Sequence, residues 1–206
     1  MTAPQRRYLH RPAAPIKLRE NSDGAAPTIT GYAAVFYDPA DPGTAFRLWG
    51  KVEERIMPAA FDKALARDDV RALFNHNSAC ILGRTTAGTL RLTTDARGLR
   101  YEIDPPDTQA ARDLIASIRR GDVTGSSFAF IPDSIMDRKD GDKQALEIHD
   151  CQLFDVGPVT YPAYPATEAG LRSDGSIDAV RAAFDARRAA AEIDALAVDM
   201  ALSDAD

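Results

Sequence analysis

The sequence predicts an α+β or barrel-like domain, and three observations carry that reading. Short segments with apolar residues at every second position recur through the middle of the chain, two or three other segments show helical spacing, and strand and helix never alternate steadily enough for a doubly wound parallel sheet. The clearest case is a hairpin, in which Leu90 and Leu92 alternate before Asp95-Ala96-Arg97-Gly98 and Leu99, Tyr101 and Ile103 alternate after it. No internal repeat is present.

Taken in order, residues 1–27 are rich in Pro, Arg and Ala, include the turn-like Asn21-Ser22-Asp23-Gly24, and read as a flexible basic arm. Residues 28–37 predict a strand through Ile29, Tyr32, Val35 and Phe36, and residues 46–56 a second one after a Pro/Gly loop. Residues 57–65 predict a short helix with Pro58 in its first turn and Phe61 and Leu65 on one face. Residues 70–74 return to strand-like hydrophobicity and deliver Asn75-His76-Asn77. After the hairpin, Asp107 or Thr108 caps a helix whose Ala111, Leu114, Ile115 and Ile118 keep helical spacing, and Arg119-Arg120-Gly121 stops it. Strands over 126–136 and 145–160 follow, joined by a polar turn over 137–142. Residues 168–206 form an alanine-rich acidic tail, helical or disordered, because a thin apolar stripe on an Ala-rich helix needs a partner.

With 206 residues, 45% of them hydrophobic and 27% charged, the chain buries one sizeable core, so the expected organisation is an arm (1–27), one domain (28–167) and a tail (168–206). A net charge of −6 and a pI near 5.1 argue against general nucleic-acid binding, which needs clustered cations. No apolar run approaches the roughly 18 residues of a membrane span and the N-terminus lacks a signal-peptide core, so no membrane partner is expected and the cytoplasm is the expected compartment. Cys80 and Cys151 are too sparse for a disulfide framework or a metal site.

The chemistry centres on Val123-Thr124-Gly125-Ser126-Ser127-Phe128-Ala129-Phe130. Its glycine, paired serines and alternating phenylalanines predict a strand with Ser127 on the face opposite Phe128 and Phe130. A serine becomes a nucleophile only beside a base, and the chain has three histidines. His10 lies in the arm. His76 stands at a strand end between two asparagines able to fix its tautomer. His149 and Asp155 both qualify as the third, orienting member; six strand steps put them about 20 Å apart, so they cannot both touch His76. Cys80, four residues after His76, offers a thiol alternative. There is no GxSxG, HExxH, Walker or GxGxxG pattern, which removes the anchors of α/β-hydrolase, zincin and nucleotide-binding readings.

Four pieces in this order resemble the prohead maturation proteases of tailed bacteriophages (HK97-like) and gene-transfer particles, a family related to the herpesvirus assemblins. They are Gly31-Tyr32-Ala33-Ala34-Val35-Phe36, Phe74-Asn75-His76-Asn77 with Leu82-Gly83-Arg84, Gly125-Ser126-Ser127-Phe128-Ala129-Phe130, and the run from Leu153-Phe154-Asp155-Val156-Gly157-Pro158 to Ala163. The resemblance spans residues 28–167. It implies a small, mainly antiparallel β-barrel flanked by helices, with Ser127, the serine just before phenylalanine, as nucleophile and His76 as general base. At the third position the family usually holds glutamate in a Leu-x-Glu-Val-Ser pattern; here Asp155 stands there, one methylene shorter, with His149 in reserve because assemblins use a second histidine. The implied activity is that of a serine endopeptidase working through an acyl-enzyme without cofactor or metal, with the Gly83-Arg84 segment as the suggested oxyanion donor. Implied partners are the major capsid protein with its scaffold segment and a second copy of the chain. The implied site of action is the procapsid in the bacterial cytoplasm, where the protease also cleaves itself and the tail serves packaging or self-cleavage. The competing reading is a non-catalytic capsid-assembly or scaffold module of the same fold; an esterase is weakened by the missing elbow.

Overall fold

Period-two patterning governs most of the chain, and strands dominate accordingly. The computed structural model describes the backbone of residues 5–8 and, beyond it, residues 16–21 and 26–160. In order these form β1 Gln5–Tyr8, β2 Lys17–Arg19, β3 Thr28–Val35, a 3₁₀ turn Pro42–Thr44, β4 Ala45–Trp49, β5 Val52–Ile56, α1 Asp62–Arg67, β6 Arg71–Leu73, β7 Ile81–Arg84, β8 Leu90–Thr94, β9 Gly98–Ile103, α2 Gln109–Arg120, β10 Gly125–Asp140 and β11 Lys143–Val159. The tail over 168–206, the Tyr161-Pro162 segment and His10 lie outside the described residues.

The strands make two sheets. One runs β1-β10-β11-β5-β4, with β6 also on β11 and β7 on β6; the other runs β2-β3-β9-β8. All pairs are antiparallel except β11 with β5 and β11 with β6. Among the described residues neither sheet closes on itself, which corrects the expected barrel. The cause is the length of β11: at 17 residues it exceeds any one neighbour, so β5 takes residues 144–148 of one edge and β6 takes 155–156, and the sheet branches.

Other boundaries shift for local reasons. The single strand expected over 46–56 is the β4–β5 hairpin, closed at Trp49 opposite Val52 around Gly50-Lys51. The helix expected over 57–65 starts later, at Asp62, and leaves Pro58 in the preceding turn. The polar stretch over 137–142 is strand up to Asp140; Arg138 reaches Glu147 at 3.1 Å and Asp140 reaches Arg55 at 2.6 Å. The expectation of a flexible arm over 1–27 does not account for β1 and β2, which pair with β10 and β3. Strand β7 had no counterpart in the sequence reading.

Both helices turn apolar positions into a shared core. In α2 the Thr108 side chain accepts from Ala111 N–H, Gly121 caps the other end, and Ala111, Leu114, Ile115 and Ile118 are buried. They meet Ile29, Tyr101 and Ile103 from the smaller sheet and Phe128, Phe130, Ile148 and Val156 from the larger in one cluster. A run of rings threads it, Phe36 to Phe61 at 6.2 Å, Phe61 to Phe128 edge-on at 5.8 Å and Phe128 to Phe130 stacked at 4.9 Å. Among the described residues no helix is long and apolar enough to cross a membrane.

Within this core the Tyr101 hydroxyl meets Ser126 Oγ at 2.7 Å, and burial pushes the phenol pKa up. Ser126→Ala strips a buried hydroxyl of this partner and should cost about 1–3 kcal/mol in urea unfolding. Adding Tyr101→Phe should recover part of the loss, a coupling that a double-mutant cycle measures.

Candidate active site

Alternation along β10 sorts its residues between two environments. Ser126, Phe128 and Phe130 belong to the face that meets Tyr101 and Phe61, and Ser127 and Ala129 take the other. In the antiparallel register with β11, Ser127 stands opposite Gly157 and Ala129 opposite Asp155. The serine and the carboxylate therefore rise from one face of one hairpin.

Strand β6 brings the histidine to that face. It pairs in parallel with β11 at Arg71 opposite Asp155 and Ala72 opposite Val156, then enters a tight loop in which Asn75 and His76 both adopt left-handed backbone, φ 54° and 55°. Asparagine tolerates this region better than most residues, and strained backbone of this kind concentrates at functional sites. The loop is tied to the end of β11: Asn75 N–H donates to Pro158 O at 3.0 Å, Asn75 Nδ2 to Thr160 Oγ1 at 3.0 Å, and Thr160 N–H to Asn75 Oδ1 at 2.8 Å.

The result is a chain of three side chains. His76 Nδ1 lies 2.5 Å from Asp155 Oδ1, and His76 Nε2 lies 2.5 Å from Ser127 Oγ. An ionised carboxylate only accepts, so Nδ1 carries the proton and donates to Asp155, leaving Nε2 to accept from the serine O–H. The His76 side chain is 2% exposed, that of Asp155 13%, and Ser127 is fully buried. Such an arrangement lets the imidazole take the serine proton while the carboxylate holds the tautomer and stabilises the imidazolium.

Several expectations are revised by this geometry. The asparagines do not fix the His76 tautomer: Asn75 fastens the loop to Thr160, and Asn77 Oδ1 accepts from Ala79 N–H at 2.9 Å. His149, six residues before Asp155 on β11, approaches Glu147 at 3.4 Å instead. Cys80 Sγ accepts from Asn77 Nδ2 at 3.6 Å, while both ring nitrogens of His76 face the other pair. Cys151 is buried beside Ala60 O, and burial pushes its thiol pKa up. In the Gly83-Arg84 segment, Arg84 N–H donates to Thr89 Oγ1 at 3.0 Å, and the Arg84 guanidinium binds Asp69, holding that carboxyl well below the usual range. Among the described residues no group of His, Cys, Asp and Glu could hold a metal ion.

Gly157 was not singled out as a positioning residue, yet its backbone lies against β6. Its φ is +154°, and a Cβ there would stand 2.2 Å from Leu73 O. Only a residue without a side chain lets Leu73 come this close, and Leu73 lies three residues before His76. The sequence signal was the departure of Asp-Val-Gly from Glu-Val-Ser.

Ser127, His76 and Asp155 thus make the contacts of a serine-hydrolase triad. Residues 14–181 match the caudovirus prohead serine protease family, and the chain belongs to it. The match extends past residues 28–167 at both ends. Among solved structures, the bacteriophage T4 capsid assembly protease, gp21, is similar at 14% identity and a TM-score of 0.45, over 77% of this chain and 99% of that one. No curated protein matches the chain.

Gly157→Ser should push β6 and His76 away from β11. The downfield proton NMR signal of a carboxylate-bound imidazole N–H should then disappear from a chain that still folds. Asp155→Glu added to it lengthens the acid by about 1.5 Å and should restore the signal.

Proposed function

We propose that this protein is a serine endopeptidase of procapsid maturation. The observation that carries the reading is the continuous path Ser127–His76–Asp155 with 2.5 Å at each step. In the proposed reaction Ser127 Oγ attacks the scissile carbonyl carbon as His76 Nε2 takes its proton, and the imidazolium forms against the Asp155 carboxylate. The imidazolium then gives the proton to the departing amine, which leaves an acyl-enzyme on Ser127. Water, deprotonated by His76, attacks the ester, and the new carboxyl terminus leaves as Ser127 regains its proton.

The substrate assignment draws on family membership: scaffold segments of the major capsid protein, and the protease itself, inside the procapsid in the bacterial cytoplasm. Each cut is an ordinary peptide hydrolysis and uses no group beyond the triad, a backbone donor and water. The alanine-rich segment 168–206 is assigned to packaging, and a homodimer is the proposed assembly.

Intact-mass analysis after incubation with the cognate capsid protein tests the chemistry. Fragments should form with wild type and with Ser126→Ala, whose hydroxyl faces Tyr101, and be absent with Ser127→Ala. Asp155→Asn should slow cleavage by about 10³–10⁴-fold with folding intact, and His149→Ala should leave the rate within a factor of about two. Fragments from Ser127→Ala would remove Ser127 from the role of nucleophile, and no fragments from any of the three proteins would favour a non-catalytic assembly module. Deleting residues 171–206 should spare cleavage and reduce the protein found in purified procapsids; undiminished incorporation would end the packaging role.

A further inference from the structure

Strand β10 has two edges, and β11 fills one of them from Gly125 opposite Val159 to Asp140 opposite Lys143. The other edge runs past Ser127, and β1 lies along it. Gln5 stands opposite Phe130, Arg6 opposite Ala129, Arg7 opposite Phe128 and Tyr8 opposite Ser127, antiparallel, as the outermost strand of the sheet. An extended peptide that joins a sheet does so through the row of N–H and C=O groups on a free edge. For a peptide placed beside the nucleophile, this is the edge that remains, and the chain's own backbone holds it.

Two further observations bear on what that means. Ser127 is fully buried, whereas attack requires its Oγ about 3–3.5 Å from a carbonyl carbon. Some element has to move before a protein substrate arrives, and β1, a four-residue edge strand with one neighbour, is the short edge strand that lies beside Ser127. The chain is also fastened just past β1, where Ile16 is buried and its N–H reaches Thr124 O at 3.5 Å, immediately before β10 begins. A strand tethered that closely competes at high effective concentration.

We propose, resting on the protease reading above, that residues 127–130 of β10 form the docking edge for an extended substrate peptide and that β1 is its resident occupant. The free enzyme is held closed until a substrate strand displaces residues 5–8.

The test uses the full chain and a fluorescently tagged fluorophosphonate, which bonds to an activated serine oxygen with loss of fluoride. Alternate residues of an antiparallel strand aim their N–H at the neighbour, so Arg6→Pro with Arg7→Pro removes one ladder donor whichever residue holds it. Arg6→Gln with Arg7→Gln removes the same charges and keeps the backbone. Labelling of Ser127 should be about tenfold faster in the proline variant than in wild type or the glutamine control. A synthetic peptide of residues 1–10 should return it to the wild-type rate. Equal rates in folded proteins would overturn the role of β1 while leaving Ser127 as a nucleophile. No labelling of Ser127 in any of them would overturn the protease reading and this inference together.

If the proline variant does not fold, hydrogen exchange on full-length Ser127→Ala decides. A heavy-isotope peptide of residues 1–10 in excess should speed exchange at the chain's own residues 5–8 and leave 127–130 protected. Unchanged exchange at residues 5–8 would overturn the proposal.

Discussion

The site depends on one strand being shared. Over residues 155–157, β11 pairs antiparallel with β10 on one edge and, at 155–156, parallel with β6 on the other, so it fixes Ser127, Asp155 and the loop of His76 against a single reference. Strand β10 contributes Ser127 across from Gly157, β11 contributes Asp155, and β6 leads into the loop that carries His76. A slip of one residue would turn Val156, now fully buried against the core, toward the imidazole and send the carboxylate inward. Burial of Val156 and Ala72 therefore fixes the register in which Ser127, His76 and Asp155 meet. The left-handed Asn75 and His76 are then held from both sides, by β6 behind them and by Pro158 and Thr160 ahead.

The same alternation separates two adjacent hydroxyls that composition cannot distinguish. Ser126 spends its hydrogen bond on a tyrosine in the core, and Ser127 meets the imidazole. Buried polar groups are tolerable when their hydrogen bonds are met, and in a low-dielectric setting each bond strengthens the next. The serine–histidine–aspartate chain meets that condition, with the Asp155 side chain at 13% exposure as its more solvated end.

What was legible in the sequence was local. The β8–β9 hairpin and α2, with its Thr108 and Gly121 caps, follow from periodicity and end chemistry alone. The need of a serine for a base, with three histidines in the chain, narrows the search to His76, and the family resemblance supplies the rest: Ser127 rather than Ser126, and Asp155 ahead of His149. What was not legible depends on which edges meet. The branching at β11, the docking of β1 and β2, and the contact between Gly157 and Leu73 join residues far apart in sequence, and side-chain alternation is silent about edge pairing. Composition also misled where charge masked strand: residues 137–140 read as a turn, yet cross-strand ion pairs with Glu147 and Arg55 keep them in the ladder.

The shorter acid raises a question of reach that the glycine answers. Relative to the Glu-Val-Ser expected from the family resemblance, this chain carries an acid one methylene shorter at 155 and no side chain at 157, where a Cβ would meet the backbone of β6. With any Cβ at 157, Leu73 O could not sit where it does, β6 would stand farther off, and an aspartate would fall short of the imidazole. With glycine there, the backbone of β6 closes in and the shorter carboxylate meets His76 Nδ1 at 2.5 Å. Asp155 and Gly157 thus act together: the reach of the carboxylate matches how closely the loop of His76 approaches β11.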